Sequence, residues 1–218
     1  MQRTRISKRI VVTALVAMAI IALFNVSALC QNRVTNGGFE STPYWANGWR
    51  IWGALDWPFA SSDACTGTQA ALLTISTPNA GDTGMDIWNN MVPVSSEETL
   101  QISFAAKKLS GPDDARVWVQ WFDQNPDGLG SAVDLNYYFN PSTSSYQVFT
   151  WNVVTRPDAF RGYVGFRLGF EGNPLSIATG SFLIDDVYLG SPVPEPGSVV
   201  SLILGLAGMA GYIVRRKS

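Results

Sequence analysis

Period-two alternation of apolar residues is the feature of this sequence that most constrains its fold. In "TLQISFAAK", Leu100, Ile102 and Phe104 fall on one side of an extended chain. The stretches "ARVWVQW" and "GYVGFRLGF" alternate in the same way. Successive side chains of a β-strand point to opposite faces, so the pattern predicts strands that bury one face and leave the other accessible.

Turn-forming stretches separate these segments: "SGPDD", "NPDG", "NPSTSS" and "RPDAF". Gly, Pro, Asn and Asp favour turns through their backbone preferences and local hydrogen bonds. Between residues 31 and 190 no long segment has the 3.6-residue period of a helix. Many short strands at regular spacing therefore predict one all-β domain, a β-sandwich, over residues 31–190.

The region 31–191 is acidic, with eight basic and sixteen acidic residues and hence a net charge of −8. This charge argues against nucleic acid and anionic lipid surfaces as partners. The sequence contains no histidine, which excludes Ser-His-Asp triads and histidine-ligated zinc or copper. The kinds of site that remain are those that use carboxylate chemistry and those that bind a cation through oxygen ligands.

The N-terminal segment has the three-part layout of a secretory signal peptide. Residues 1–9 carry four basic residues and no acid, residues 10–24 are almost entirely apolar, and "VSA" then supplies small residues for cleavage. We predict a signal helix within a signal peptide over residues 1–30. An uncleaved N-terminal anchor is one alternative. A lipoprotein attached through Cys30 is another, although the bulky Leu29 argues against it.

The C-terminal segment predicts a single membrane span. Residues 197–214 are apolar and, as a helix, would extend roughly 27 Å, just enough for a bilayer core. Three basic residues follow directly. Because positive charges stay on the cytoplasmic side, the preceding region is predicted to lie outside the cytoplasm. Residues 191–196 form a linker to this transmembrane helix and basic end, which together occupy residues 197–218.

The C-terminal arrangement resembles the PEP-CTERM sorting signal, with the motif, the apolar helix and the basic end in the same order. The matching residues are Val193, Pro194, Glu195, Pro196, Arg215 and Arg216. The resemblance implies export, recognition by an exosortase in the inner membrane and cleavage near Pro-Glu-Pro. Release or attachment at the cell surface would follow, usually in bacteria that make exopolysaccharide. An ordinary tail anchor with a Pro-rich linker is the alternative.

Two further stretches carry a second resemblance. "VTNGGFES" (residues 34–41) and "GSFLIDDVYLG" (residues 180–190) look like the first and last strands of jelly-roll carbohydrate-binding modules of the family 4, 9 and 22 type. The span between them fits one such module. The resemblance implies a jelly-roll β-sandwich and a polysaccharide ligand.

In the resembled modules the equivalent acidic residues help to hold a structural calcium ion. The resemblance therefore implies a Ca²⁺ site that involves Glu40, Asp185 and Asp186. A hard cation needs several oxygen ligands, which carboxylates and carbonyls can supply. Adjacent residues of a regular strand point to opposite faces, so Asp185 and Asp186 do not easily reach one ion together. The alternative is a set of acids that accept hydrogen bonds from backbone amides.

The stretch "DQNPDGLGSAVD" is a second candidate metal loop. Asp123, Asn125, Asp127 and Asp134 fall at positions 1, 3, 5 and 12 of a calcium-loop pattern. However, the last position is Asp rather than Glu, and strands rather than helices flank the loop. Asn-Pro-Asp-Gly is also a strong turn sequence, so we favour a hairpin turn.

The accessible faces of the predicted strands carry aromatic and planar polar side chains. An aromatic ring stacks on the apolar face of a pyranose, while amide and guanidinium groups bond its hydroxyls. The alternative is that these tryptophans pack under loops and arginines. The candidate sugar contacts are Trp52, Trp88, Arg116, Trp118, Gln120, Tyr163 and Arg167.

Other tryptophans are predicted to serve the core. Trp121 and Trp151 fall on the apolar sides of their strands. The segment "YWANGWRIWGALDW" holds four tryptophans, which could line a binding edge or plug the sandwich. We favour the plug, with Trp52 as the best binding candidate of the four.

Catalysis is not expected, because a glycosidase needs two carboxyl groups that face each other at a defined separation. No strand of this sequence carries an alternating pair of carboxylates. We therefore expect an exported surface protein that binds polysaccharide without cleaving it. A structural or adhesion protein of the extracellular matrix is the main alternative, and a glycan-active enzyme the less favoured one.

Overall fold

The structure is a computed structural model that describes residues 31–41, 48–53, 55–56, 59–76, 83–87, 90–111, 115–125, 133–168 and 179–193. The predicted signal peptide (1–30) and the predicted transmembrane helix with its basic end (197–218) lie outside these residues. Within the described ranges, no helix is long and apolar enough to cross a membrane. Asn32–Gly190 form one compact unit, and Gln31 and Ser191–Val193 belong to a second one.

The described ranges contain eleven strands, which we number in chain order. They are β1 (Arg50–Trp52), β2 (Ala60–Ser61), β3 (Ala70–Ile75), β4 (Thr83–Asp86), β5 (Val92–Pro93), β6 (Thr99–Ser110), β7 (Ala115–Phe122), β8 (Val133–Phe139), β9 (Gln147–Val154), β10 (Arg161–Leu168) and β11 (Gly180–Gly190).

The strands form two antiparallel sheets. In sheet A the order is β1-β4-β10-β7-β8, and β5 also pairs with β10. In sheet B the order is β2-β3-β11-β6-β9. This arrangement confirms the predicted all-β sandwich. Chain neighbours such as β3 and β4 lie in different sheets, so the core forms only when distant segments pair.

Inward-facing residues of both sheets build one core between them. Leu100, Ile102 and Phe104 of β6 are fully buried, as their alternation predicts. Phe104 of sheet B meets Phe139 and Phe166 of sheet A edge-on, with ring centroids 4.9 Å and 4.8 Å away. Edge-to-face contacts suit the quadrupoles of aromatic rings and add to the roughly 1.5–3 kcal/mol gained by burying each large side chain.

The two tryptophans predicted for the core lie there. Trp121 is fully buried, and its ring occupies the space that Gly162 leaves on the neighbouring strand. A Cβ atom at Gly162 would lie 2.2 Å from Cε3 of Trp121, so this ring needs glycine beside it. Trp151 is half-buried and stacks on Tyr137 of the other sheet at a centroid distance of 5.2 Å.

Among its described residues, the tryptophan-rich segment contributes the buried Trp49 to the core. Trp49 is completely buried, and its ring centroid lies 4.9 Å from that of Phe39. Its indole nitrogen donates a hydrogen bond to the carbonyl oxygen of Asn36, 3.2 Å away. Trp49 therefore closes the sandwich beside β1, as the plug interpretation expects. Trp45 and Trp57 lie outside the described residues.

Candidate functional site

The face of sheet A that points away from the core gathers aromatic, cationic and amide side chains. Directly opposed residues of an antiparallel pair lie on the same face, so the registers fix its members. We call it the outer face. Its described members are Arg50, Trp52, Gly84, Asp86, Arg116, Trp118, Gln120, Phe122, Asn136, Tyr138, Arg161, Tyr163, Gly165 and Arg167.

Six of the seven predicted sugar contacts meet on this face. Along β7 and β10, three opposed pairs point outward: Tyr163 with Gln120, Gly165 with Trp118, and Arg167 with Arg116. Trp52 joins them from β1, because it lies opposite Gly84, and Gly84 lies opposite Arg167. The seventh candidate, Trp88, lies outside the described residues.

Two glycines make room for the tryptophan rings of the outer face. A Cβ atom at Gly165 would lie 2.5 Å from Cζ2 of Trp118, and one at Gly84 would lie 2.7 Å from Cζ2 of Trp52. Each ring therefore extends across the neighbouring strand. The two rings meet edge to face, with centroids 5.1 Å apart. The result is a continuous aromatic surface that crosses β1, β4, β10 and β7.

Three arginines lie over aromatic rings of the outer face. The guanidinium carbon of Arg167 is 4.8 Å from the Trp118 ring centroid, and that of Arg116 is 4.3 Å from the Tyr138 centroid. The guanidinium carbon of Arg50 lies 5.9 Å from the Trp52 ring centroid. The negative face of each ring attracts the cation, and stacking fixes the plane of the guanidinium fork.

A buried carboxylate anchors one end of this face. Arg50 donates to Asp86 twice, with Nε–Oδ1 at 3.1 Å and Nη2–Oδ2 at 2.6 Å. Asp86 is only 1% exposed. A buried charge is tolerated when it is paired and hydrogen-bonded, so this bidentate pair positions Arg50 rather than leaving a reactive acid.

Tyr163 links β10 to β7 through its hydroxyl, which donates a hydrogen bond to Oε1 of Gln120. Burial raises the pKa of Tyr163, and a hydrogen bond with Trp118 partly opposes that shift. The phenol therefore stays protonated and keeps its donor role at neutral pH. Gln120 is thereby held in one orientation.

Exposure differs across the outer face. Trp118, Tyr163 and Arg116 are buried, with Trp118 only 5% exposed beneath Arg167 and the edge of Trp52. Trp52, Gln120, Arg161 and Arg167 are half-buried, and Tyr138 is 52% exposed. The accessible contact groups are therefore Trp52, Tyr138, Gln120 and the arginines other than Arg116, supported from below by Trp118.

Sequence reasoning missed several members of this face. Tyr138 and Asn136 come from "VDLNYYF", in which they alternate with the apolar Leu135, Tyr137 and Phe139, so the period-two signal that could have found them is present there. Arg50 and Arg161 stand at strand ends, where alternation is weakest. Only the pairing with neighbouring strands shows that these residues point to the same side as Trp118.

The predicted metal residues lie at sheet B, where they hold the loop that precedes β3. Glu40 Oε1 accepts hydrogen bonds from the amides of Thr68 (2.8 Å) and Gln69 (3.0 Å), and Oε2 accepts one from the Thr68 hydroxyl (2.6 Å). These bonds, led by the Thr68 hydroxyl, lower the pKa of Glu40.

Asp185 and Asp186 hold the same loop two to three residues before Thr68. Asp185 Oδ2 accepts from the amides of Cys65 (2.8 Å) and Thr66 (3.1 Å), and Asp186 Oδ1 accepts from the Thr66 hydroxyl (2.5 Å). Burial raises the pKa of Asp185, although the three backbone amides that bind it act in the opposite direction.

The expected opposite orientation of Asp185 and Asp186 is wrong, because β11 is not regular there. Its pairing with β6 shifts register between Asp185 and Tyr188, and Asp186 adopts a left-handed φ of 50°. Ile184 and Val187 both face the core, so this β-bulge leaves two consecutive acids outside it.

These residues do not fit a calcium ion as the structure holds them. Ca²⁺ takes six to eight oxygen ligands, but every carboxylate oxygen of Glu40 and Asp185 already accepts a hydrogen bond from an N–H or O–H group. In the described ranges, no group of three or more His, Cys, Asp or Glu residues could hold a metal. The calcium site therefore stays a prediction, with no role derived from it.

The second candidate metal loop is described only in part. Asp123 Oδ1 accepts a hydrogen bond from the Asn125 amide at 2.9 Å, a local bond typical of turns that Asp begins. Strands β7 and β8 on either side are antiparallel neighbours, as the favoured hairpin requires. Asp127 and the side chain of Asp134 lie outside the description.

Comparison with known families identifies the C-terminal segment. Residues 192–217 match the PEP-CTERM protein-sorting motif. The chain therefore carries a sorting signal that implies an exported, exosortase-processed protein of the cell surface. Of the six motif residues named from the sequence, Val193 lies in the described ranges, and its side chain is exposed. The other five, Pro194, Glu195, Pro196, Arg215 and Arg216, lie outside them.

The sandwich is structurally similar to carbohydrate-binding modules. It matches the CBM22-1 xylan-binding domain from Paenibacillus barcinonensis Xyn10C with a TM-score of 0.50 and 15% identity, over 74% of this chain and 94% of that domain. It also matches the CBM22-1-CBM22-2 tandem domain from the same protein with a TM-score of 0.50 and 16% identity, over 77% of this chain and 47% of that chain.

A third structural match is the enzymatically active domain of bacteriophage CBA120 tailspike protein 4, with a TM-score of 0.51 and 15% identity. It covers 73% of this chain and 21% of that one, so this chain spans about a fifth of the tailspike domain. Likeness at these identities concerns the fold alone. No curated protein matches the chain in sequence.

Proposed function

We propose that this chain is a surface protein whose sandwich, a jelly roll of the carbohydrate-binding type, binds polysaccharide at the outer face of sheet A without cleaving it. The observation that carries the proposal is the aromatic surface formed by Trp52, Trp118 and Tyr138, with planar polar groups held between the rings. Rings of this kind stack on the C–H faces of pyranoses, while Gln120 and Arg167 can bond hydroxyl groups beside them.

The described side chains of the outer face do not include the two carboxyl groups that hydrolysis of a glycosidic bond requires. Such hydrolysis needs one carboxyl group as acid and a second as base or nucleophile. Among the described side chains of this face, the single carboxylate is Asp86, and both of its oxygens accept hydrogen bonds from Arg50. Retention of a polymer, rather than its cleavage, is the chemistry that these groups support.

A glycan array with the full-length protein tests this function. The protein is kept in an uncharged detergent without a sugar headgroup, because a maltoside detergent would compete for the aromatic surface. We expect selective binding that Trp52→Ala and Tyr138→Ala reduce. If the protein binds no glycan on a broad array while near-ultraviolet circular dichroism shows that it is folded, the proposal is contradicted.

An adhesive role through protein contacts is the second candidate, and strand β9 favours it. This strand lies at the edge of sheet B and exposes Val148 (70%) and Val154 (61%). Exposed apolar residues on an edge strand can pair with another chain. Sedimentation of the wild type against Val148→Lys tests this role: if β9 mediates assembly, a complex present in the wild type disappears in the variant.

The sorting signal completes the proposal with a route to the surface. We propose that the precursor is held in the inner membrane by residues 197–218 until exosortase cleaves near Glu195. Export of the chain with and without residues 192–217 tests this step. Immunoblotting should show a processed, surface-retained form only when the signal is present, and identical fractionation of both chains would refute it.

A further inference from the structure

Strand β9 forms one edge of sheet B. Among the described strands it pairs with β6 alone, through an eight-residue register without a shift. Its sequence, "QVFTWNVV", contains no charged residue and no proline. Natural edge strands usually carry a charge, a proline or a bulge that prevents a further strand from pairing with them. Within the described part of the chain, the outward backbone N–H and C=O groups of β9 are therefore available to another strand.

The other described strands at the ends of the two sheets are shorter or less regular. β1 and β2 contain three and two residues. β8 carries Asp134 and pairs with β7 through a register shift, and both features discourage the addition of a further strand. Of the four described sheet ends, β9 therefore offers the longest regular and uncharged edge.

The side chains of β9 are arranged symmetrically about Trp151. The first residue on each side of it is polar, the second is apolar and faces the core, and the third is an exposed valine. In an antiparallel pair of two β9 strands, with Trp151 opposite its own copy, each residue lies opposite the matching one. The three matched pairs are Thr150 with Asn152, Phe149 with Val153, and Val148 with Val154.

Neighbouring registers lose this match. A shift by two residues in either direction would place Val148 opposite Asn152 or opposite the position of Arg156. A shift by one residue would oppose residues of different parity, so the core-facing side of one strand would continue into the outward side of the other. The register centred on Trp151 is therefore the one in which both faces of β9 are complementary to a second β9.

The charge of the domain also favours contact along this strand. Residues 31–191 carry eight basic and sixteen acidic residues, so two copies repel each other at long range. Like charges in directly opposed positions would add to that cost, and β9 brings none into opposition. Because salt screens the long-range repulsion, pairing along β9 should strengthen as the NaCl concentration rises.

We infer that two copies of this chain pair edge to edge along β9, about a two-fold axis at Trp151, and so join their five-stranded B sheets into one continuous sheet. Backbone hydrogen bonds supply the affinity, and the alternating side chains set the register. Both copies use the same surface, so the assembly closes at two. The inference does not depend on glycan binding, and it names one partner for the strand that favours the adhesive role.

Sedimentation of the full-length protein in density-matched detergent tests the contact. We expect an equilibrium between monomer and dimer that shifts toward the dimer with protein concentration and with NaCl. Val148→Lys and Val154→Lys should each weaken dimerisation about tenfold, because two symmetry-related valine contacts are lost. Both valines are exposed, so neither change should affect folding. Phe160→Lys, at a matched exposed apolar residue before β10, should leave dimerisation unchanged.

Mixing two variants tests the register. Val148 of one copy lies opposite Val154 of the other, so Val148→Lys mixed with Val154→Glu should form a mixed dimer severalfold more stable than the dimer of either variant alone, since opposite charges then face each other. Val148→Lys mixed with Asn152→Glu is the control. Its charges lie diagonally apart in the inferred register, so it should recover less.

Three results would overturn the inference. The first is a protein that stays monomeric at every concentration, which would leave glycan binding by the outer face intact. The second is a dimer that neither lysine variant at β9 weakens, because another segment of the chain would then hold it together. The third is an assembly larger than two that Val148→Lys dissolves, because a two-fold contact cannot extend beyond a pair. Equal recovery in the two mixtures would overturn the register at Trp151.

Discussion

The guanidinium group of Arg167 lies over the indole ring of Trp118, 4.8 Å from the ring centroid, on the strand beside it. The contact exists because Gly165, directly opposite Trp118, carries no side chain. The ring can then extend across β10 beneath Arg167. A single glycine thus decides whether the Trp118 ring can extend beneath Arg167.

Replacing Gly165 with alanine should disrupt that surface. The added Cβ atom would lie 2.5 Å from Cζ2 of Trp118, and overpacking of this kind costs about 1–3 kcal/mol. We expect a lower urea midpoint and weaker glycan binding. Gly38→Ala is the matched control, because its Cβ atom would have its nearest neighbour at 4.0 Å. Equal effects of the two substitutions would show that the glycine opposite Trp118 is not required.

Removing the accessible rings should weaken binding more than stability. Trp52→Ala and Tyr138→Ala each delete a half-buried or exposed ring of the outer face, and we expect about tenfold weaker polysaccharide binding for each. Affinity electrophoresis in polysaccharide-containing gels measures this change. Val148→Ala, on the edge of sheet B, is the control. Unchanged mobility of both ring variants would place the binding surface elsewhere.

Calcium removal tests whether Glu40, Asp185 and Asp186 bind Ca²⁺ or only hydrogen-bond the loop that precedes β3. Because N–H and O–H groups already satisfy the oxygens of Glu40 and Asp185, we expect the same melting temperature with millimolar Ca²⁺ and with chelator. A ligand that binds only the folded state at 100 times its dissociation constant would add about 2.7 kcal/mol to the free energy of unfolding. A melting temperature that rises with Ca²⁺ would establish the calcium site that the family resemblance implies.

The ion pair formed by Arg33 and Glu98 should make the free energy of unfolding depend on pH in the acidic range. Arg33 donates to both carboxylate oxygens of Glu98, with Nη1–Oε2 at 2.9 Å, and this bond lowers the pKa of Glu98. A carboxylate with a lowered folded-state pKa stabilises the protein above its unfolded pKa of about 4.3, and the contribution is lost as pH falls through the folded value.

Glu98→Gln should therefore reduce the free energy of unfolding at pH 7 by about 1 kcal/mol or less, since the pair is partly exposed. The difference from the wild type should shrink below about pH 4, where the wild-type carboxyl group protonates as well. Urea unfolding at pH 7 and pH 3.5 measures both values, with Asp158→Asn as a control in a more exposed ion pair. A difference that stays constant with pH would contradict the assigned cause.

The alternation along individual strands was readable from the sequence. The parity of "ARVWVQW" and "GYVGFRLGF" placed Trp118, Gln120 and Arg167 opposite their buried neighbours, and the structure keeps that parity. The reason is local, because a strand turns each successive side chain to the other face whatever its partners are. The sorting motif was also readable, since a contiguous segment carries it.

The bulge in β11 was not readable in this way. Strict alternation predicts opposite directions for Asp185 and Asp186, but the register shift before Tyr188 leaves both outside the core, on the loop at Thr66. The shift depends on how β11 pairs with β6, a strand some eighty positions earlier in the chain. The hydrogen bonds that the carboxylates of Asp185 and Asp186 accept were not readable from the sequence either, because they too join distant segments of the chain.

The sequence by itself determined which side of each strand is apolar, the acidic balance of the domain and the signal that directs it to the surface. The tertiary structure alone decided that Trp52, Arg116, Tyr138 and Arg161 share one face, because they come from four strands whose order in the sheet is set by long-range pairing. Residue spacing fixes the direction of a side chain within its own strand, whereas hydrogen bonding between distant segments fixes which side chains become neighbours.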